Sequence, residues 1–237
     1  MLITGGASGI GLALADRFLA AGSDVIICGR RVNKLKDAQA NRPRLKTFAC
    51  DVAAPAGRVA VVEAVTRDHP ALNVLVNNAG IQRYPRLTDQ EEWDLTHEEI
   101  AINLEAPIHL SRLLVPHLSR QTRPAIVNVT SGLAFAPLAR APIYSATKAA
   151  LHSFTLSLRR QLTETPIEVV EIIPPAVNTD LGGPGLHTFG VDVDEFADAV
   201  MARLAAGAAE TAYGFAEQAS RASRADLDQM FSRMNER

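Results

Sequence analysis

Tyr144 and Lys148 stand four residues apart in "PIYSATKAALHSF" at 142–154, and Ser131 precedes the tyrosine by thirteen positions. On a helix, positions i and i+4 share one face a turn apart, so the tyrosine hydroxyl and the lysine ammonium can act together. A tyrosine with a pKa near its usual ~10 is a poor acid-base group at neutral pH. A positive charge one turn away favours the phenolate and lowers that value. A serine hydroxyl at the same point can donate a hydrogen bond to a carbonyl oxygen as negative charge develops on it. The spacing also fits an ordinary buried helix with two polar side chains. The rest of the chain must supply the reason for a reactive tyrosine.

The elements that would position these residues alternate. Short β-branched runs at Leu2–Thr4, Asp24–Cys28, Leu45–Cys50, Val74–Asn77, Ala125–Thr130 and Ile167–Ile173 are separated by helical stretches near 10–20, 32–40, 56–68, 92–119 and 141–163. That order predicts β-α-β units and an α/β fold with a mainly parallel sheet. The nearly continuous apolar runs predict strands covered on both faces. No internal repeat or low-complexity linker divides the 237 residues, so one domain over 1–237 is expected. Residues 174–191, rich in Gly and Pro, read as a mobile loop, and Leu227, Met230, Phe231 and Met234 predict a C-terminal helix within 215–235. Only the run Leu2–Thr4 precedes the first Gly-rich turn. Either the first strand is unusually short or the chain starts downstream of its natural beginning.

Composition excludes several classes. Hydrophobic residues make up 47% and charged residues 21%, with a net charge of −2, so no nucleic-acid or membrane-surface partner is expected. No apolar run approaches the ~20 residues of a transmembrane helix, and no leader pattern is expected. The two cysteines, Cys28 and Cys50, are too few for a disulfide framework and suit a cytoplasmic location. Six histidines form no zinc-type motif, so no metal is expected.

"TGGASGIG" places Gly5, Gly9 and Gly11, with Ser8 and Ile10 between them, at a strand-to-helix turn. Glycine permits the tight turn and close approach of a ligand, and the helix N-terminus offers N–H groups to a phosphate. A tight turn without ligand has the same pattern. The second strand is more informative. In a dinucleotide site an acidic residue at its end holds the adenosine ribose, whereas arginine accommodates a 2′-phosphate. Here the strand ends in Gly29, Arg30 and Arg31, and residues 30–46 hold seven Lys or Arg against one acid, Asp37. Much of that charge fits a solvated helix face. Arg30, directly at the strand end, points to NADP(H) as the preferred cofactor, with NAD(H) possible.

"NNAG" at 77–80 and "VTS" at 129–131 each end a predicted strand, at the edge where open parallel sheets bind ligands. With "TGGASGIG", Asp51 in "CDV", Asn103 in "INLEAP", "YSATK" and "PPAVNT", they appear in an order that resembles the short-chain dehydrogenase/reductase family over essentially the whole chain. Within that family the stretch 129–154 and "PPAVNT" look like the DltE-type oxidoreductases. The resemblance implies a three-layer doubly wound Rossmann fold with helices on both faces. It implies hydride transfer that interconverts a secondary alcohol and a ketone or aldehyde, with Tyr144 as general acid-base. Lys148 would bind the nicotinamide ribose and lower the tyrosine pKa, Ser131 would orient the substrate oxygen, and Asn103 would help hold a relay water. Asp51 and Val52 would line the adenine, and Asn78, Ala79 and Gly80 the adenosine ribose side. Pro174 ends the sixth-strand motif, and Val177 and Thr179 would contact the carboxamide.

Two residues add physical detail. Pro107 has no N–H, so the Asn103 carbonyl loses its i+4 donor and the helix should kink there. Pro175 stands where family members usually have Gly, which stiffens the turn beneath the nicotinamide. The small residues Ala146, Ala149, Ala150 and Ser153 would let a second helix approach, and the family resemblance implies pairing through this helix and the preceding long one, so a homodimer or homotetramer is expected, with a small carbonyl or alcohol compound as substrate. The alternative is a non-catalytic nucleotide sensor or scaffold. It would have lost Tyr144, Lys148 or Ser131, and all three are present.

Overall fold

The computed structural model describes residues 1–88 and 93–236. Seven strands, β1 (Leu2–Thr4), β2 (Ile26–Gly29), β3 (Lys46–Ala49), β4 (Val74–Asn77), β5 (Ala125–Val129), β6 (Glu168–Ile173) and β7 (Glu210–Ala212), form one sheet in the order β3-β2-β1-β4-β5-β6-β7. Every pairing in it is parallel. Successive strand residues point to opposite faces. Leu2, Ile26, Leu75 and Ile126 enter one apolar core, while their neighbours Ile3, Ile27, Val76 and Val127 enter the other. This two-sided burial is why the strands read as continuous apolar runs. Helices α3 (Pro55–Asp68), α5 (Ala106–Leu118) and α6 (Pro142–Gln161) contribute to the first core; α1 (Gly9–Ala20), α2 (Val32–Ala40) and α7 (Val193–Ala205) contribute to the second. The result is the expected three-layer doubly wound Rossmann architecture.

Three segments differ from the expectations. The long helix expected over 92–119 begins outside the described residues at position 92. From 93 it is α4 (Trp93–Ile100), a π-helical turn at Ala101–Glu105, and α5. The Ala106 N–H reaches back five residues to the Ala101 carbonyl. Pro107 supplies no N–H to the preceding turn, and the helix takes in an extra residue there. The C-terminal helix over 215–235 is two helices, α8 (Phe215–Arg221) and α9 (Arg224–Asn235). Ser223 accepts from the Asp226 N–H and starts a new helix with a reciprocal capping box. Finally, α7 and β7 were not expected. β7 is three residues, Glu-Thr-Ala, with no apolar run to announce it, and it pairs only because β6 offers an edge.

Candidate active site

The sheet reverses its winding between β1 and β4, and the loops after the C-terminal ends of the strands enclose a cleft of about 1210 Å³. At one end lies the Gly-rich turn. Gly5 and Gly9 have positive φ values of 64° and 54°, which L side chains adopt with strain. A Cβ on Gly11 would come within 2.4 Å of Asn78 Nδ2. The turn is fastened to the loop after β4: Asn78 donates to the Thr4 carbonyl at 2.9 Å, and the buried Thr4 hydroxyl accepts from the Asn78 and Ala79 N–H groups at 3.0 Å each. Asn78 thus holds the turn in shape and, with Ala79 and Gly80, lines the cleft. No side chain caps the first turn of α1, so its N-terminus opens to the cleft beside Ser8, Gly9 and Ile10. A phosphate-sized anion suits this arrangement.

Arg30 lines the cleft at the end of β2 and is ion-paired with Glu98 of α4, which also holds Arg83. Both arginines keep the Glu98 carboxyl below the usual carboxylate range. Arg31, which the sequence reading left unassigned, lines the cleft too and donates to Ser8 Oγ at 3.0 Å. Its signal was its place in the same Arg-Arg pair. Val52 is on the cleft wall, but Asp51 is not: its exposed carboxylate accepts from the Ala53 N–H at 3.0 Å.

At the other end, Ser131, Tyr144 and Lys148 come together from the end of β5 and the first turns of α6. Ser131 Oγ accepts from the Leu133 N–H at 3.1 Å, which fixes its rotamer. Tyr144 is buried, and burial pushes its hydroxyl well above the usual phenol range, against a hydrogen bond from Ser131 that pulls it down. Lys148 Nζ donates to the Val129 carbonyl at 2.7 Å and lies 5.5 Å from the Tyr144 ring centroid. Burial lowers its pKa to about 8. The expected tuning of Tyr144 by Lys148 is not among the influences the chain itself exerts on the phenol. The ammonium faces a strand carbonyl and the ring.

Asn103 is fully buried behind the cleft wall. Its side chain accepts from the Ile81 N–H and donates to the Ile81 carbonyl, both at 2.9 Å, and donates to Thr147 Oγ1 at 3.2 Å. A Cβ on Gly80 would sit 3.5 Å from Asn103 Oδ1 and 3.7 Å from Lys148 Nζ, so the two polar groups flank Gly80. Behind them the buried Asn77 Nδ2 donates to Asn128 Oδ1 at 2.8 Å, and Asn128 Nδ2 to Thr155 Oγ1 at 2.9 Å, tying β4 and β5 to α6.

Pro174, Pro175, Val177 and Thr179 line the cleft below this end. The Pro174 carbonyl accepts from the Gly132 N–H, and the segment returns through a bridge of Val177 with Val191. Glu171 on β6 was missed by sequence reasoning, although a lone acid inside "EVVEII" is a signal. It is 0% exposed and accepts from Thr130 Oγ1 at 2.6 Å and from His152 Nδ1 at 2.9 Å. Among the described residues no group of three or more metal-ligating side chains is present, and no helix is long and apolar enough to cross a membrane.

Known proteins resemble this chain in sequence and fold. The chain is 46% identical to the uncharacterized oxidoreductase DltE of Bacillus subtilis strain 168, over 99% of this chain and 96% of that one. A short chain dehydrogenase from Burkholderia cenocepacia J2315, solved in complex with NADP, superposes with a TM-score of 0.84 at 26% identity, covering 100% of this chain and 97% of its own. A 3-ketoacyl-(acyl-carrier-protein) reductase from Brucella melitensis, complexed with NADH, gives 0.81 at 26% identity over 89% and 94%. The family model described as short chain dehydrogenase matches residues 1–186, and this chain belongs to that family of oxidoreductases.

Proposed function

We propose that the protein is an NADP(H)-preferring oxidoreductase interconverting a secondary alcohol and a ketone or aldehyde, with Tyr144 as general acid-base. The observation that carries this reading is the meeting of Ser131, Tyr144 and Lys148 at one end of a cleft whose other end is the uncapped N-terminus of α1. A dinucleotide fits these residues. The glycine turn leaves room where side chains would clash, and Arg30 and Arg31 line the cleft and would hold a 2′-phosphate. When bound, the nicotinamide supplies or accepts the hydride. Ser131 donates to the substrate oxygen, and Tyr144, protonated because it is buried, gives its proton to that oxygen in reduction. Lys148 holds the nicotinamide ribose, and Asn103 fixes Ile81 and the cleft floor beside Gly80.

The test is carbonyl-dependent oxidation of NADPH by the purified protein across ketones and aldehydes, repeated with NADH. Arg30→Ala should weaken NADPH binding by about tenfold, the equivalent of one charge-assisted hydrogen bond, and NADH binding by less. Binding of NADPH without turnover of any carbonyl would favour a sensor or scaffold, and equal loss for both nucleotides would refute the role of Arg30.

The proposal includes a homodimer or homotetramer. The exposed side of α6 presents Ala146, Ala149, Ser153 and Leu156, and α5 presents Ile108, which supports packing against a second copy. Light scattering across micromolar concentrations should give at least twice the chain mass; a monomer throughout refutes it.

A further inference from the structure

We infer that the carbonyl substrate carries a single carboxylate on an apolar body, and that Arg140, assisted by His187, receives that carboxylate. The inference rests on the oxidoreductase reading above and names its substrate class. Arg140 is four residues before Tyr144, just ahead of the N-cap Ala141 of α6, and it lines the cleft at the Ser131–Tyr144 end. Its guanidinium lies 5.3 Å over the Tyr84 ring. Stacking of this kind holds the planar fork in place and leaves its N–H edge available for a bidentate carboxylate. Arg83, in the same loop as Tyr84, is bound to Glu98, whereas Arg140 has no ion-pair partner among the described residues.

His187 supplies a second, independent observation. It lines the cleft at 8% exposure, and its Nδ1 is buried without a hydrogen-bond partner among the described residues. Leaving a buried polar atom without a partner is costly, so a residue in this state at a cleft wall calls for a partner from outside the chain. Burial holds its imidazole below the ordinary histidine range. A contact with the Leu181 main chain opposes this, and the Arg140 charge adds to the lowering. The neutral ring can therefore hydrogen-bond a ligand held by Arg140 without adding a second positive charge.

The remaining groups narrow the choice. Asp180 lines the same end and is exposed, and the buried Glu99 accepts from the Arg83 N–H at 3.3 Å. These two acids oppose a dianionic phosphate more strongly than a monoanionic carboxylate. Leu133, Leu138 and Phe189 complete the wall, so the rest of the substrate meets apolar surface.

The test uses matched oxo compounds with one apolar chain that ends in a carboxylate, a methyl ester or a phosphate. With NADPH, the oxo acid should exceed the ester in kcat/KM by about tenfold, as expected for one charge-assisted contact. Arg140→Met, which keeps an apolar stem, should raise KM for the acid by about the same factor and shrink that preference. Binding is read separately by calorimetric titration of the saturated carboxylic acid, which lacks the carbonyl, into the NADPH complex. It should bind to the wild type and at least about tenfold more weakly to Arg140→Met. Preference for the ester or the phosphate, or an equal loss for acid and ester in Arg140→Met, overturns the inference. Failure of all three compounds to turn over, with Arg140-dependent binding of the acid intact, overturns the oxidoreductase reading and upholds the carboxylate site.

Discussion

Tyr144→Phe is expected to lower carbonyl reduction by about 10²–10⁴-fold, the usual contribution of a positioned general acid. The NADPH affinity should stay within a few-fold, because the phenyl ring fills the same buried volume. Removing the hydroxyl takes away the proton donor and the group facing Ser131 without opening a cavity. Steady-state kinetics and a nucleotide titration on the same preparation separate the two effects. Turnover within a few-fold of the wild type would show that another group delivers the proton. Direction follows from the pKa as well. Burial holds the phenol protonated at neutral pH, which is the form that donates in reduction. Alcohol oxidation needs the phenolate as base. It should therefore rise with pH where reduction falls, and a shared pH optimum for both directions would count against Tyr144 as the single acid-base.

His152→Leu should cost about 3 kcal/mol of stability, at the lower end for removing one partner of a buried ion pair, since about a fifth of the histidine is exposed. For a chain of this size that is on the order of a 10 °C fall in Tm. The cost arises at Glu171, whose buried carboxyl would be left with the Thr130 hydroxyl as its one side-chain donor among the described residues. The pair also sits where stability and chemistry meet. Thr130 precedes Ser131, and His152 is one turn beyond Lys148 on α6. A double-mutant cycle checks the account: His152→Leu should cost far less in a Glu171→Leu background, because two apolar side chains can fill the space of the ion pair. Additive losses would refute it. The pH dependence has a definite sign. Glu171, bonded to His152 and opposed by burial, raises the histidine pKa, with Glu210 adding to the rise and Arg159 opposing it. The stabilisation is therefore complete below the ordinary histidine value of ~6.5 and is lost as pH climbs through the raised, folded-state value. The gap in Tm between wild type and His152→Leu should narrow over that window.

Much of the site was legible in the chain because its cues are local. The Gly-rich turn, the strand-end Arg30 and the Tyr144–Lys148 spacing each depend on residues within a turn or two of one another. Alternating apolar runs were enough for a doubly wound parallel sheet, since burial on both faces leaves its mark along each strand. The losses were of two kinds. β7 has too few residues for any periodicity, and the break at Ser223 depends on a cap that looks like any other serine. The other losses concern contacts between distant segments. Asn78 lines the cleft, but the commitment of its amide to Thr4 comes from β1 and β4 lying side by side in the sheet. Asp51 bonds its own loop. Lys148 faces the Val129 carbonyl because α6 packs over the end of β5.

By itself, then, the sequence determined the parallel α/β character, the order of the first six strands and which residue types stand at the strand ends, through local stereochemistry and the pattern of apolar side chains, and its resemblance to a known family supplied the layer arrangement. Only the tertiary structure decided which buried polar groups meet. It closed Glu171 on His152, set Glu98 between Arg30 and Arg83, and put Arg140 and His187 on the wall of one cleft. The physical reason is that a buried charge or hydrogen-bonding group must find its partner in space, and those partners here are between 15 and 68 residues apart along the chain.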